Sequence, residues 1–244
     1  MRASLTALLP LILLAACSQA PVQPAPAQAQ ACLPPAAAPA PAPVAATPAP
    51  TYPMTPVPVQ EVAVDKDHRE VKIETNFGDM VVQLDATRAP LSVKDFLTYV
   101  GERYYDGSGF YRVVPGFVIQ GGDYTSDLKY HKPKHPSIPN EAGNGLSNLR
   151  GSFAMARDGD PHSANATFYI NLKDNRKLDP RPDRWGYAVF GQVVQGMEVV
   201  DKIAAVSTHS VTLQDKYHET FDDVPVDAVQ ILKVTLLPMP SGSP

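Results

Sequence analysis

The chain has 244 residues, and its 21 Lys+Arg and 25 Asp+Glu give a formal net charge of −4. Residues 1–60 hold 14 of the 26 prolines but only one charged residue, Arg2, so residues 61–244 carry a net charge of −5. This mildly acidic balance argues against a surface that binds nucleic-acid phosphates. Both cysteines, Cys17 and Cys32, precede residue 61, which excludes a disulfide framework or a cysteine-based zinc site in residues 61–244.

An apolar run from Leu5 to Ala16 is too short to span a bilayer and has the form of a secretory signal. It ends in LAAC, residues 14–17, and resembles a bacterial lipoprotein signal. The resemblance implies that residues 1–16 are a signal peptide and that Cys17 is lipidated; an ordinary signal with an incidental cysteine is the alternative. Because Ser18 follows rather than an aspartate, we expect a lipid anchor in the outer membrane of a Gram-negative bacterium, with the domain in the periplasm or at the cell surface.

The segment that follows, residues 17–60, is rich in Ala, Pro and Gln and carries no charge. Such a segment buries too little apolar surface to offset the entropy of ordering, so we predict a disordered linker. Its Pro-Ala repeats favour polyproline II at about 3.1 Å per residue, which gives a tether with a reach on the order of 100 Å. Cys32 is interpreted as an incidental thiol.

From residue 61 onward the pattern predicts a small, mainly β domain with two helices. Residues 71–84 alternate apolar and polar side chains on either side of a turn, which predicts a hairpin. Pro90 opens a predicted helix in which Ser92 and Asp95 are placed as a capping pair. A second helix is predicted over Val193–Ala205.

Short β-rich runs predict the remaining strands, at residues 109–114, 117–121, 151–156, 168–172, 187–193 and 229–236. Many strands at short spacing with only two helices predict a closed antiparallel barrel, because closure removes exposed strand edges.

Residues 110–123, FYRVVPGFVIQGGD, are the most informative segment. They place Arg112 among aromatic and aliphatic residues, and a Pro-Gly bend would fold Gln120 back beside it. A guanidinium in such surroundings needs an acceptor, and an amide oxygen can orient it without neutralising it. From these residues alone, a surface arginine lying over barrel side chains is an equal alternative.

This segment resembles the cyclophilin signature, F-[HY]-R-[VI]-[VI]-P-G-F-x-x-Q-G-G-[DG]. Further matches follow in order, among them RGSFAMA at residues 150–156 and ATFYI at residues 166–170, so that the resemblance extends from about Val71 to Leu237. It is strongest to the bacterial periplasmic branch. The resemblance implies that residues 61–244 form a peptidyl-prolyl cis-trans isomerase: an eight-stranded barrel capped by two helices, without metal or cofactor, and acting on proline-containing polypeptides. Because no exposed apolar heptad or strand edge argues for assembly, we expect a monomer.

The resemblance also assigns roles to single residues. Arg112 would donate a hydrogen bond to the twisted amide, and Gln120 would orient Arg112. The proline slot would be lined by Phe117, Val118, Phe168, Tyr169 and Leu178, although for Phe168 the barrel core is the favoured interpretation. The substrate chain would contact Ala156 and Arg157, mainly through their backbone, and Thr167 and Tyr187.

Tyr111 and Tyr187 stand where many eukaryotic relatives have histidine, and three further positions depart from the usual family pattern. Tyr169 adds a hydroxyl to the slot where phenylalanine is usual, and Thr167 stands at a position that is usually glutamine. Lys177 stands where cyclosporin-sensitive relatives have tryptophan, which predicts weak cyclosporin binding. These departures leave open a second function, a peptide-binding chaperone or a surface interaction module that uses the same groove with little turnover.

Other charged clusters are interpreted as structural. His131 and His135 lie in a Lys/Pro-rich segment that predicts an exposed loop. The Asp158–Asp160 stretch, DGD, lacks the ligand spacing of a calcium loop and predicts a turn. Asp222 and Asp223 are predicted to lie in a solvated loop.

Overall fold

The computed structural model describes residues 68–213 and 220–238. The predicted signal peptide, the lipidated Cys17, the linker and Cys32 lie outside these residues. Within them, no helix has the length and hydrophobicity that crossing a membrane requires.

The described residues form two α-helices, a short 3-10 helix (Arg176–Leu178) and ten strands. The α-helices are α1 (Pro90–Gly101) and α2 (Met197–Ala204). The strands are β1 (His68–Thr75), β2 (Gly78–Asp85), β3 (Arg112–Val114), β4 (Val118–Gly121), β5 (Ser152–Met155), β6 (Phe168–Asn171), β7 (Val189–Gln195), β8 (Thr208–Thr212), β9 (Thr220–Pro225) and β10 (Ile231–Leu236). The mainly β character, the first hairpin and both helices agree with the sequence prediction.

Eight strands form one antiparallel sheet in the order β10-β1-β2-β7-β5-β6-β4-β3. The sheet curls into a half-barrel, and the prediction of a closed barrel is wrong, because the two end strands β3 and β10 do not pair with each other. β3 is only three residues long and ends at the turn that contains Gly116, whose φ is +67°. The gap is bridged by a short segment before β3, in which Phe110 N donates to Val229 O at 2.9 Å and Gly107 N donates to Ile231 O at 2.9 Å.

Helix α1 begins at Pro90 as predicted, but the predicted capping pair is wrong. Neither Ser92 nor Asp95 caps the helix, since both lie inside it and are buried. A carboxylate from a distant loop takes that role: Glu141 accepts hydrogen bonds from Leu91 N at 3.0 Å and from Ser92 N at 2.8 Å. These bonds satisfy backbone donors that a helix leaves unpaired at its first turn.

Helix α2 is shorter than predicted. Residues 193–195 continue β7, and Gly196 separates the strand from the helix with a φ of +85°. A Cβ at Gly196 would lie 2.5 Å from Asp79 O, so both the backbone conformation and the close approach of β2 require glycine here.

The two faces of the sheet bury different apolar clusters. The main core lies between the sheet and the helices and includes Phe96, Phe153, Phe168 and Phe190, whose rings contact one another at centroid distances from 4.7 to 5.7 Å. Because successive side chains of a strand point to opposite faces, the neighbours of these residues, such as Tyr169, lie on the other face. That outer face carries a second apolar cluster.

A separate hairpin of β8 and β9 was not predicted from the sequence. It packs beside β3 through a third apolar cluster that buries Tyr111, Leu128 and Val224. Asp222 and Asp223 lie in β9 and not in a solvated loop, so that interpretation is wrong.

Candidate active site

Arg112 and Gln120 face each other across the β3–β4 pair, where they are directly opposite in register. Arg112 Nη1 donates to Gln120 Oε1 at 3.2 Å, and Gln120 Nε2 donates to the Tyr111 hydroxyl at 2.8 Å. The amide therefore orients the guanidinium without removing its charge. The Arg112 side chain is 37% exposed, so it remains accessible to a ligand.

An apolar cluster, hereafter the slot after its predicted role, lies next to this pair on the outer face of the sheet. In β6, Tyr169 is the register partner of Gln120, so Arg112, Gln120 and Tyr169 lie side by side on three adjacent strands. The slot is the second apolar cluster; it comprises Val118, Ala154, Ala156, Tyr169 and Val189, which are buried, and Val114, Phe117, Leu146, Leu178 and Tyr187, which are partly buried. The structure thus brings together four of the five residues predicted to line a proline slot.

Phe168 is the exception, and its assignment to the slot is corrected. It is 0% exposed and packs in the main core against Phe96, Phe110 and Phe153. Strand alternation places it on the inner face, while Tyr169 faces the slot.

The hydroxyl of Tyr169 finds a partner that the sequence did not reveal. It donates to Asn148 Oδ1 at 2.6 Å. Asn171 Nδ2 donates to the same oxygen at 3.1 Å and to Ser152 Oγ at 2.8 Å. These groups are buried, and together they form a polar network under the slot, hereafter the asparagine network of Asn148, Asn171 and Asn175.

The asparagine network also holds the rim of the slot. Asn175 Nδ2 donates to the backbone oxygen of Phe117 and to Asn171 Oδ1, both at 2.8 Å. Leu178 N donates to Asn175 O at 2.8 Å. Asn148 Nδ2 donates to Asp179 Oδ1 at 2.9 Å. An asparagine in a connecting segment usually predicts a turn, so composition offers no sign of this buried role.

A groove of about 550 Å³ lies beside Arg112 and shares Ala156 with the slot; Arg157, Thr167 and Asp123 also line it, among others. Burial raises the pKa of the Asp123 carboxyl group, and the neighbouring Thr167 and Tyr111 side chains act in the opposite direction. The groove is therefore polar and charged, and it adjoins the apolar slot at Ala156.

Arg157 contributes more through its side chain than the sequence predicted. Its guanidinium carbon lies 4.5 Å from the centre of the Tyr187 ring. Its Nη2 donates to Trp185 O at 3.1 Å and its Nε to Gly186 O at 3.4 Å. Arg157 thereby fixes the segment that places Tyr187 beside Tyr169, with ring centroids 6.0 Å apart. The backbone N–H of Ala156 already donates a hydrogen bond to Thr167 O at 2.9 Å.

The segment with two histidines is held by neighbours on α1 and the turn after it. The His131 ring stacks on Tyr104 at 4.0 Å, and His135 Nε2 lies 2.9 Å from Glu102 Oε1. Within residues 68–213 and 220–238, no three His, Cys, Asp or Glu side chains are grouped so that they could hold a metal ion.

Comparison with known families gives one match that covers most of the chain. The model of the family described as "Cyclophilin type peptidyl-prolyl cis-trans isomerase/CLD" matches residues 70–236. Peptidyl-prolyl cis-trans isomerase A of Dickeya dadantii is 49% identical over 141 residues, which cover 58% of this chain and 74% of that protein. Peptidyl-prolyl cis-trans isomerase B of Escherichia coli is 45% identical over 169 residues, which cover 68% of this chain and 98% of that protein.

The fold is also similar to a solved structure. A cyclophilin type peptidyl-prolyl cis-trans isomerase of Cryptosporidium parvum superposes with a TM-score of 0.54 at 24% identity, covering 71% of this chain and 99% of that one. A second crystal structure of the same protein, in the presence of the dipeptide Ala-Pro, gives a TM-score of 0.53 at 23% identity. At this identity the likeness concerns the fold.

Proposed function

The chain belongs to the cyclophilin-type peptidyl-prolyl cis-trans isomerases and is an enzyme of that activity, and we propose that Arg112 is its catalytic residue. One observation carries the proposal. Arg112 is oriented by Gln120 at 3.2 Å, and Gln120 is in turn the register partner of Tyr169 in the apolar slot. A proline ring in the slot would place its amide within reach of the guanidinium.

The reaction requires rotation and no bond cleavage. An X-Pro amide resists rotation with a barrier of about 20 kcal/mol, because the C–N bond has partial double-bond character. In the twisted state this character is lost, and the proline nitrogen gains a lone pair that can accept a hydrogen bond. Arg112 donates to that nitrogen or to an adjacent carbonyl, and so binds the twisted amide more strongly than the planar one.

The slot and groove hold the two ends of the substrate differently. Phe117, Tyr169 and Leu178 bind the proline ring by apolar contact, while the residue before proline lies along Ala156 and Thr167. When one side of the X-Pro bond is held in place, the other side can rotate about that bond. The hydroxyl of Tyr169 is bonded to Asn148 and does not remain unsatisfied in the slot. This removes the objection that the Tyr169 hydroxyl raised against proline binding in the slot.

For the cellular setting, we propose that the enzyme acts on exported, partly folded proteins as a lipoprotein of the bacterial periplasmic branch. The LAAC sequence at residues 14–17 supports lipidation of Cys17, and the Ala/Pro-rich linker of residues 17–60 would extend the enzyme away from the membrane. Sensitivity of its processing to a lipoprotein signal peptidase inhibitor, compared with Cys17→Ala, tests the anchor. Unchanged processing in both cases would contradict it.

The catalytic proposal is tested with an Ala-Pro peptide in an exchange NMR or protease-coupled assay. We expect Arg112→Ala to lower kcat about 100-fold, as removal of one preorganised donor does in other enzymes, and to change KM by less than threefold. Arg88→Ala is the matched control, because Arg88 pairs with Asp85 and lies outside the groove. Full activity of Arg112→Ala would contradict the proposed role.

A further inference from the structure

The unpredicted hairpin of β8 and β9 lies against the strand that carries Arg112. Val224 of β9 and Tyr111, the residue before β3, are buried in the same cluster. The Phe221 ring lies 6.3 Å from the Tyr111 ring and 4.9 Å from the Tyr124 ring. These contacts hold the backbone of β9 at both ends of the short stretch from Phe221 to Val224, next to the groove.

Asp223 lies within this anchored stretch. Its backbone is left-handed, with a φ of +61°, a conformation that aspartate adopts more readily than most residues with a side chain. Its Oδ2 is 3.9 Å from Arg112 Nε. Among the described residues, no other carboxylate oxygen lies within 4.0 Å of the Arg112 guanidinium.

Gln120 and Asp223 contact different nitrogens of the same guanidinium. Gln120 accepts from Nη1, and Asp223 faces Nε. Because the guanidinium is planar and rigid, partners on two of its nitrogens determine the orientation of the whole group. Within the part of the chain that the structure describes, Nη2 forms no hydrogen bond, and Nε faces the carboxylate at 3.9 Å without a hydrogen bond to it. Both groups therefore remain available as donors to a substrate.

We propose that Asp223 is a positioning residue for Arg112. It fixes the guanidinium plane from the β9 side, while Gln120 fixes it from the β4 side. A guanidinium beside a carboxylate keeps all of its N–H donors, so Asp223 can orient Arg112 while its negative charge offsets part of the positive charge. The inference rests on the proposed function of Arg112, because Asp223 acts through that residue and not on the substrate.

The experiment compares variants of the full chain in the Ala-Pro peptide assay and by NMR of the Arg112 Nε–Hε group. We expect Asp223→Ala to lower kcat about three- to fivefold, the range for one partly exposed ion pair, with KM changed by less than twofold. The Nε–Hε resonance should shift and broaden. Asp223→Glu should recover more than half of the lost kcat, which a general loss of hairpin structure would not allow.

Asp222→Ala is the matched control for charge. Asp222 is adjacent and also borders the groove, but it accepts a hydrogen bond from Ser210 Oγ at 2.6 Å. The Asp222→Ala variant therefore measures the effect of losing one negative charge near the groove while the contact between Asp223 and Arg112 remains. We expect it to lower kcat by less than half as much as Asp223→Ala and to leave the Nε–Hε resonance in place.

Three results would overturn the inference: an unchanged kcat in Asp223→Ala, an equal loss in Asp222→Ala, or a rise in KM with constant kcat. In each case an inactive Arg112→Ala would still support the proposed function. An active Arg112→Ala would contradict the proposed function itself, so the two failures are distinguishable.

Discussion

The hydroxyl of Tyr169 donates to Asn148 Oδ1 at 2.6 Å on the floor of the apolar slot. Tyr169 is 4% exposed and Asn148 is 0% exposed, so water does not compete for this bond. A buried hydroxyl without a partner would cost about 1–3 kcal/mol. Burial raises the pKa of Tyr169 well above its ordinary value, so the hydroxyl stays protonated and remains a donor. The slot therefore tolerates a tyrosine because the asparagine network lies beneath it.

We expect Tyr169→Phe to retain activity, with kcat/KM changed by less than twofold. The ring that contacts proline stays in place, and Asn148 Oδ1 keeps the hydrogen bond from Asn171. Stability should fall by about 1 kcal/mol, the net contribution of one hydrogen bond. Peptide isomerisation and urea unfolding measure the two effects. A tenfold loss of kcat would show that the hydroxyl takes part in the reaction.

The companion change, Asn148→Leu, should have the larger effect. It leaves the Tyr169 hydroxyl without its acceptor and removes one of the bonds of Asn171, in a region without access to water. We expect a loss of about 3 kcal/mol in the free energy of unfolding and a higher KM, because the floor of the slot shifts. Equal stabilities of Asn148→Leu and Tyr169→Phe would contradict a stabilising role of the asparagine network.

Gln120 links Arg112 to Tyr111, and we expect Gln120→Leu to lower kcat about fivefold with little change in KM. Leucine has a similar volume but accepts nothing from Arg112 Nη1 and donates nothing to Tyr111. The guanidinium then loses one of its two orienting contacts. Gln120→Glu is the control, since it keeps an acceptor at the same place, and it should retain most of kcat. A kcat for Gln120→Leu equal to that of the parent chain would rule out an orienting role.

Elements that depend on residues close together in the sequence were predicted correctly. The alternation in residues 71–84 and the Pro90 start of α1 each lie within a few residues, and both elements were found. Barrel closure could not be predicted from local patterns, because it depends on how β3 meets β10, which lie more than a hundred residues apart. β3 and β10 do not pair, and the segment before β3 instead hydrogen-bonds to Val229 and Ile231.

The residues of the candidate site could be predicted where they lie in one motif, and they could not be predicted where groups from distant parts of the chain join them. Arg112, Gln120 and Phe117 lie in one contiguous segment. Asn148 and Asp223 come from other parts of the chain, and nothing in their neighbourhoods distinguishes them from ordinary loop residues. Likewise the acceptor at the start of α1 is Glu141, some fifty positions from the helix, and no local capping rule identifies it.

The buried carboxyl group of Asp95 should make the stability of the protein depend on pH. Burial in α1 raises the pKa of Asp95 from 3.8 to about 6, while the positive charge of a protonated His135 would lower it. The folded protein thus holds this proton at pH values where the unfolded chain has lost it, so stability should fall as pH rises from about 4 to 6. The loss should be on the order of 2 kcal/mol and should persist above pH 6.

The measurement is urea unfolding between pH 4 and pH 8, in comparison with Asp95→Asn. Asparagine cannot ionise, so the free energy of unfolding of the variant should lack the fall that Asp95 causes between about pH 4 and 6. The variant should therefore be more stable than the parent chain at pH 8. At pH 4, where Asp95 is protonated in the folded state, the two should be similar. Parallel pH profiles for the two proteins would show that Asp95 is not the titrating group.

Lys177 closes one side of the slot, and we expect weak binding of cyclosporin because of it. Its Nζ lies 4.7 Å from the centre of the Phe117 ring. A lysine there offers a mobile charge where the tryptophan of sensitive relatives offers a flat apolar surface and an N–H donor. Calorimetry should give a dissociation constant in the micromolar range or weaker for the parent chain. Lys177→Trp should bind at least tenfold more tightly without a change in peptide isomerisation. A submicromolar constant for the parent chain would show that Lys177 does not limit binding.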